Sequence, residues 1–204
     1  MTLTAGTLAL GTYNHSIGIF SSSNANARTI SGSGTITLND ATAATKLNLA
    51  TTTNLTWSFT GTFVLTNASA NAQTFAGGDL TYNNVTVKGA GNYALTITGS
   101  NTLRTFTVDA LQAAKTITGT AGTTQTIQNF VTLNRTKNVI TFNSTGAAWT
   151  ITGQVGIYEG EYLNLTNVAT DRKYTYYAPN STDGTGNTNW IFGHRVRYSR
   201  FPRH

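Results

Sequence analysis

Apolar and polar side chains alternate with a period of two through most of this chain. Thr35-Ile36-Thr37-Leu38, Leu47-Asn48-Leu49, Leu55-Thr56-Trp57-Ser58-Phe59, Leu95-Thr96-Ile97 and Val139-Ile140-Thr141-Phe142 mostly set apolar groups against Thr, Ser or Asn. This is the pattern of short strands with one buried face. No segment carries a convincing 3.6-residue period. Asp109-Ala110-Leu111-Gln112-Ala113-Ala114-Lys115 is the one stretch compatible with a short helical turn, and a plain loop is favoured even there. Both prolines, Pro179 and Pro202, lie late in the chain, as expected where every strand N–H must enter a ladder.

The strands end on a recurring phrase. Thr96-Ile97-Thr98-Gly99, Thr116-Ile117-Thr118-Gly119 and Thr150-Ile151-Thr152-Gly153 are joined by looser copies at Thr29-Ile30-Ser31-Gly32, Ser58-Phe59-Thr60-Gly61 and Thr74-Phe75-Ala76-Gly77. Their glycines are 29, 16, 22, 20 and 34 residues apart, a ragged period of roughly 24 that suits one coil of a solenoid. A second phrase, Val85-Thr86-Val87, returns as Phe106-Thr107-Val108 after 21 residues and as Phe130-Val131-Thr132-Leu133 after 24 more, with Tyr162-Leu163-Asn164-Leu165 resuming it after a longer coil. Two phrases in fixed order predict stacked, equivalent turns.

The expected fold is therefore all-β: a right-handed parallel β-helix of about seven irregular coils, rising about 4.8 Å per coil. The solenoid spans residues 1–170. A capping segment follows at 171–192, where aromatic residues concentrate and Tyr176, Tyr177, Trp190 and Phe192 can close the open core. Residues 193–204 form a basic tail. Unequal coils must bulge at their loops, and residues 134–149 are expected to form the most prominent one.

Composition sharpens this picture. Hydrophobic residues make up 39% of the 204 and charged residues 10%, enough apolar surface for a narrow continuous core. Plentiful β-branched and aromatic residues exclude a disordered chain. There is no cysteine, which removes disulfides and thiolate metal sites and leaves the redox compartment open. Met1 to Leu10 shows no Sec-type signal pattern, and no apolar run approaches the roughly 20 residues of a membrane span. The protein is expected to be soluble or held in an assembly, without membrane insertion. Of thirteen Lys and Arg, Arg195, Arg197, Arg200 and Arg203 crowd the tail with no acid among them, so the +6 net charge is mostly a tail property. With Tyr198 and Phe201 they form a partner-docking candidate. Docking on a neighbouring protein is favoured over a solvated end, and over the nucleic acid that such residues can stack on.

Candidate chemistry is sparse. The chain has seven acids. Asp40, Asp79 and Asp109 recur at intervals of 39 and 30 and can line one edge of the rod as a glycosidase or lyase would require. Each also sits where a turn needs Asp, and the turn role is favoured. Glu159 and Glu161 project together, with ion pairs to Arg172 or Lys173 or a solvated edge as the expected outcome. Asp183 to Asn189 resembles a loose calcium loop, which a glycine-rich turn explains equally well. His15, His194 and His204 have no zinc spacing, and no phosphate loop or nucleophile elbow is present. No catalytic residue, metal or cofactor is expected.

Leu80-Thr81-Tyr82-Asn83-Asn84-Val85-Thr86-Val87, Tyr93-Ala94-Leu95-Thr96-Ile97-Thr98-Gly99-Ser100-Asn101-Thr102-Leu103 and the ending Asn180-Ser181-Thr182-Asp183-Gly184-Thr185-Gly186-Asn187-Thr188-Asn189-Trp190-Ile191-Phe192 resemble repeat-rich β-solenoid structural proteins of tailed bacteriophages. The resemblance covers most of residues 1–192 and extends to the repeats of bacterial adhesins. It implies a non-enzymatic virion protein, a tail fibre, head fibre or decoration protein, in a multi-copy or homo-oligomeric assembly with other virion proteins. Host-surface glycans are implied as a further partner, and nucleic acid is not. The alternatives are a bacterial surface adhesin, which needs a secretion signal, and a polysaccharide-degrading β-helix enzyme, which needs acids clustered on adjacent coils.

Overall fold

The computed structural model describes residues 1–42, 44–135 and 137–193. The alternating segments become strands that wind in order. The first three turns carry β1 (Gly6–Ala9), β2 (His15–Ile17) and β3 (Phe20–Ser21); β4 (Arg28–Gly32), β5 (Thr35–Leu38) and β6 (Ala44–Asn48); and β7 (Leu55–Phe59), β8 (Thr62–Thr66) and β9 (Gln73–Ala76). The next three carry two strands each: β10 (Thr81–Lys88) and β11 (Tyr93–Thr98); β12 (Thr102–Asp109) and β13 (Lys115–Gly119); β14 (Thr124–Leu133) and β15 (Ile140–Ser144). Three-strand turns then resume with β16 (Trp149–Thr152), β17 (Ile157–Glu159) and β18 (Leu163–Leu165), and with β19 (Val168–Thr170), β20 (Thr175–Tyr177) and β21 (Thr182–Asp183); β22 (Trp190–Ile191) opens another.

Every strand ladder among the described residues is parallel, and no helix occurs there. The molecule is a parallel β-helix of about eight turns, one more than expected. At about 4.8 Å per turn the stack rises about 38 Å.

The three faces are not three simple sheets. One sheet of eight strands runs β3, β6, β9, β11, β13, β15, β18, β21 along the third face. The other eight-stranded sheet begins on the second face with β2, β5 and β8 and ends with β16 and β19. Its middle strands β10, β12 and β14 are 8, 8 and 10 residues long and cover two faces in one bent run. Val85 of β10 lies over Phe63 of β8 in the C-terminal half of the bend, whereas β16 stacks on the N-terminal half of β14, at Thr124 to Thr126. The sheet thus slides round the rod by one face. It leaves two short sheets beside it, β1-β4-β7 and β17-β20-β22.

The second phrase marks real stacking for three copies: Val85 pairs with Phe106 and Phe106 with Phe130. Its fourth copy, Tyr162 to Leu165, belongs to the other large sheet, with Leu163 over Ile140. Tyr158 of β17 takes the expected place, its ring stacked on Phe130 at 4.7 Å. The Thr-Ile-Thr-Gly copies are likewise not equivalent. In neighbouring β11 and β13 they are offset by two residues, with Ile97 facing Gly119, and the third copy lies in a different sheet. Each glycine serves a separate local need. Gly99 and Gly153 adopt positive φ, while a Cβ on Gly119 would lie 2.0 Å from the indole of the fully buried Trp149. The phrase marks strand ends, not one stacked position.

The loop favoured for the Asp109 to Lys115 stretch is found, and one further expectation is corrected. Asp109 to Lys115 forms no helical turn; Asp109 Oδ1 accepts from Leu111 N and closes a bend. Residues 134–149 are not one bulging loop, because β15 occupies Ile140–Ser144 and sits inside the third face.

The core is a continuous column of Leu, Ile, Val and aromatic side chains from Leu10 to Ala178, each large one worth about 1.5–3 kcal/mol on burial. Three cations sit inside it at the corners. Arg28 donates to the carbonyls of Asn24, Asn26, Thr51 and Thr53. Lys46 reaches the carbonyls of Asp40 and Thr42, and Lys115 those of Gly89, Gly91, Ala113 and Ala114. Loops that turn sharply between faces leave carbonyls without ladder partners, and buried ammonium and guanidinium groups satisfy several at once.

Candidate functional site

The acids are mostly spent on turns. Asp40 Oδ1 accepts from both the backbone N and the hydroxyl of Thr42, Asp79 from Ser100 N in the next turn, and Asp109 from Leu111 N. Asp171 accepts from Thr152 Oγ1, Gly153 N and Tyr174 N. Glu159 and Glu161 are exposed, and neither reaches Arg172 or Lys173; the ion pair found among the described residues is Lys46 Nζ to Asp40 Oδ1 at 3.4 Å. In the loop read as calcium-like, Asp183 Oδ1 accepts from Asn187 Nδ2, and Asn187 Oδ1 accepts from Val168 N. One of these oxygens braces the loop itself and the other ties it to the preceding turn.

Lys88 and Asp109 share a polar recess of about 220 Å³ with Thr66, Gly89 and Gln112. Lys115 lies behind it. Burial lowers the Lys115 ammonium below its ordinary pKa, opposed by the Asp109 charge. Lys115 is committed to four carbonyls, and Asp109 Oδ1 to its own loop.

The two ends differ. At the N-terminal end, Thr2 pairs with Ser21 and the Met1 ammonium donates to Ile19 O. An apolar recess of about 320 Å³ opens beside them, lined by Leu8, Leu10, His15, Ile17, Phe20 and Ile36 among others. At the other end, the residues expected to form a cap lie in or beside β20 and β22. Tyr176 is fully buried and packs 5.4 Å from Trp190, which also meets Tyr158 edge-on at 6.0 Å. Tyr177 and Phe192 are half-buried. Of the tail candidates, Arg195, Arg197, Tyr198, Arg200, Phe201 and Arg203 all lie outside the described residues, as do His194 and His204.

The most distinctive feature of the lateral surface lies where β7 ends the first-face sheet. β7 pairs with β4 and has no strand on its other edge. Asn54 O accepts from Arg28 N and Thr60 N donates to Gly32 O, so the even-numbered residues aim their backbone groups at β4. Alternation directs those of Trp57 and Phe59 to the unpaired edge. There the following turn stands off from β7, and a cleft of about 290 Å³ opens, lined by Trp57, Ser58, Phe59, Thr60, Thr81, Tyr82, Asn83 and Arg104. The half-buried Trp57 indole bridges it, donating from Nε1 to Thr81 O at 2.8 Å. Its ring meets Tyr82 edge-on at 5.5 Å and Phe59 at 5.9 Å. Asn83 and Arg104 fall at the bend of the long strands, between the paired positions Tyr82–Leu103 and Asn84–Thr105. Arg104 is exposed there, with no carboxylate within 4.0 Å among the described residues. Sequence reasoning missed this site because its residues come from three turns and are joined by a pairing that does not form.

No protein-family model, no curated protein and no solved structure matches the chain.

Proposed function

We propose that this chain is a non-catalytic structural protein of a bacteriophage particle, a fibre or decoration rod that contributes to host-surface attachment or to particle assembly. The observation that carries the reading is how the polar groups are used. Buried cations and most acids brace loops, with Asp79, Asp171, Arg28 and Lys115 reaching a neighbouring turn, while the long outer faces present Thr and Asn ladders such as Thr62, Asn84, Thr105 and Asn129. A rod of this kind supplies stiffness and surface. The phage setting is supported by the resemblance of the repeats and of the Gly-Asn-rich ending.

The test is to fractionate lysates of cells that express this chain by density gradient and search the particle fraction for its peptides by mass spectrometry. Co-sedimentation with tailed particles is the expected result. Recovery only in the cellular fraction overturns the virion assignment and favours an adhesin. Turnover of a capsular or algal polysaccharide panel that is lost in D109N would overturn the non-catalytic part.

A further inference from the structure

We infer that the cleft between β7 and β10 binds one acidic sugar unit of a surface polysaccharide, its carboxylate on Arg104 and its ring against Trp57. The inference deepens the attachment reading above and rests on it for its biological setting.

Size comes first. At about 290 Å³ the cleft falls just below the about 300–1,000 Å³ typical of small-molecule sites, room for a single substituted ring. Its lining combines the two surfaces that a saccharide offers. Sugar C–H faces are apolar and pack on aromatic surface, supplied by the half-buried Trp57, which the buried Phe59 and Tyr82 back from beneath. Sugar hydroxyls need partners of both kinds. The Asn83 amide provides both, together with the backbone groups of Trp57 and Phe59 on the unpaired edge of β7, while the hydroxyls of Ser58 and Thr60 donate to Ile30 O and Gly32 O and keep only their acceptor side.

Charge decides the class of sugar. Arg104 is the one ionised group lining the cleft, and it has no carboxylate partner among the described residues. A planar guanidinium presents a fork that matches a carboxylate in two parallel hydrogen bonds. A uronate satisfies that fork while its ring stays on the aromatic floor.

A free strand edge also invites an added peptide strand, and here the geometry disfavours one. The Trp57 indole crosses the cleft and its Nε1–H occupies Thr81 O, so the opposite wall offers no open ladder. A strand would also need about 4.8 Å of clearance from β7 along its whole length.

The experiment titrates the full chain by isothermal calorimetry with oligogalacturonate and oligoglucuronate, with neutral gluco-oligosaccharides of equal length and with an extended Thr-rich peptide. Wild type is expected to bind at least one uronate at least tenfold more tightly than any neutral sugar, and more weakly at 300 mM than at 50 mM NaCl. R104Q should lose at least tenfold in affinity, whereas R135Q, which removes an exposed charge elsewhere, should bind as wild type does. Equal losses in the two variants would reduce the effect to net charge and overturn the site. Equal binding of neutral sugars, preferred binding of the peptide, or no uronate binding by a wild type whose circular dichroism shows it folded overturns it as well. Co-sedimentation with particles is read separately, so failure here leaves the virion assignment standing, and failure there leaves the sugar site standing.

Discussion

Single residues in this helix are judged by whether a turn needs them. Gln73 is the buried residue, among those described, with both ends of its side chain unpaired. It is 2% exposed, stands in line with Leu95, and has no hydrogen-bond partner at either end of its amide. A buried amide left unpaired costs about 1–3 kcal/mol, so Gln73→Leu should stabilise by about that amount. Urea denaturation checks it: the midpoint rises at constant slope. A lower midpoint would mean that the amide holds something the core requires. Asp40 makes the opposite case. The Thr42 hydroxyl and backbone N–H, then Lys46, hold its carboxyl at about 2, below the ordinary 3.8. A folded-state value below the unfolded one gives a contribution that is present above pH 3.8 and lost as pH falls through about 2. Carbon-detected NMR should place the Asp40 midpoint near 2, and Thr42→Ala should raise it. A midpoint near 4 in both proteins would remove the hydroxyl's role.

Strands were legible from sequence and their partners only in part. Thr35–Leu38 and Leu55–Phe59 lie where alternation put them because one face is buried and one is wet. Stacking of Val85, Phe106 and Phe130 was legible because successive long strands keep one bend in register. It ceased to be legible at Tyr162, where an extra strand, β17, enters the turn and takes over the second face. Nothing in the sequence around Lys46 and Lys115 announces the carbonyls they meet. Gly119 was legible as a glycine and not as a socket. Its missing side chain admits Trp149 from a later turn. Gly119→Ala should therefore destabilise by about 1–3 kcal/mol through overpacking. The same substitution should cost little in a Trp149→Leu background, although Trp149→Leu alone is itself destabilising through the cavity it leaves. Additive losses in the double variant would show that the two residues do not compete for one space.

At the scale of the whole molecule, the rod has two joints. Between turns three and four the first face loses its ladder beyond β7, and between turns six and seven the second face loses its ladder beyond β14. Side chains partly bridge both gaps, Trp57 Nε1 to Thr81 O in the first and Gln154 Oε1 accepting from Phe130 N in the second. Stability in a stacked fold is a sum of turn and neighbour terms, so a joint with two ladders in place of three is where cooperativity weakens. The block between the joints has the longest ladders, built on β10, β12 and β14. Its ends are covered by other turns, whereas among the described residues the outermost turns are covered on one side only. Hydrogen exchange followed by mass spectrometry should therefore find three tiers. Peptides within 81–144 exchange last, those of β1 to β6 and β19 to β22 first, and β7 opens ahead of its neighbours β8 and β9 because its outer edge is free. A uronate seated in the cleft contacts both sides of the first joint, so it should raise protection of β7 and of the start of β10 together. Protection confined to Arg104 and Asn83 would show that the ligand rests on the bend without closing the joint.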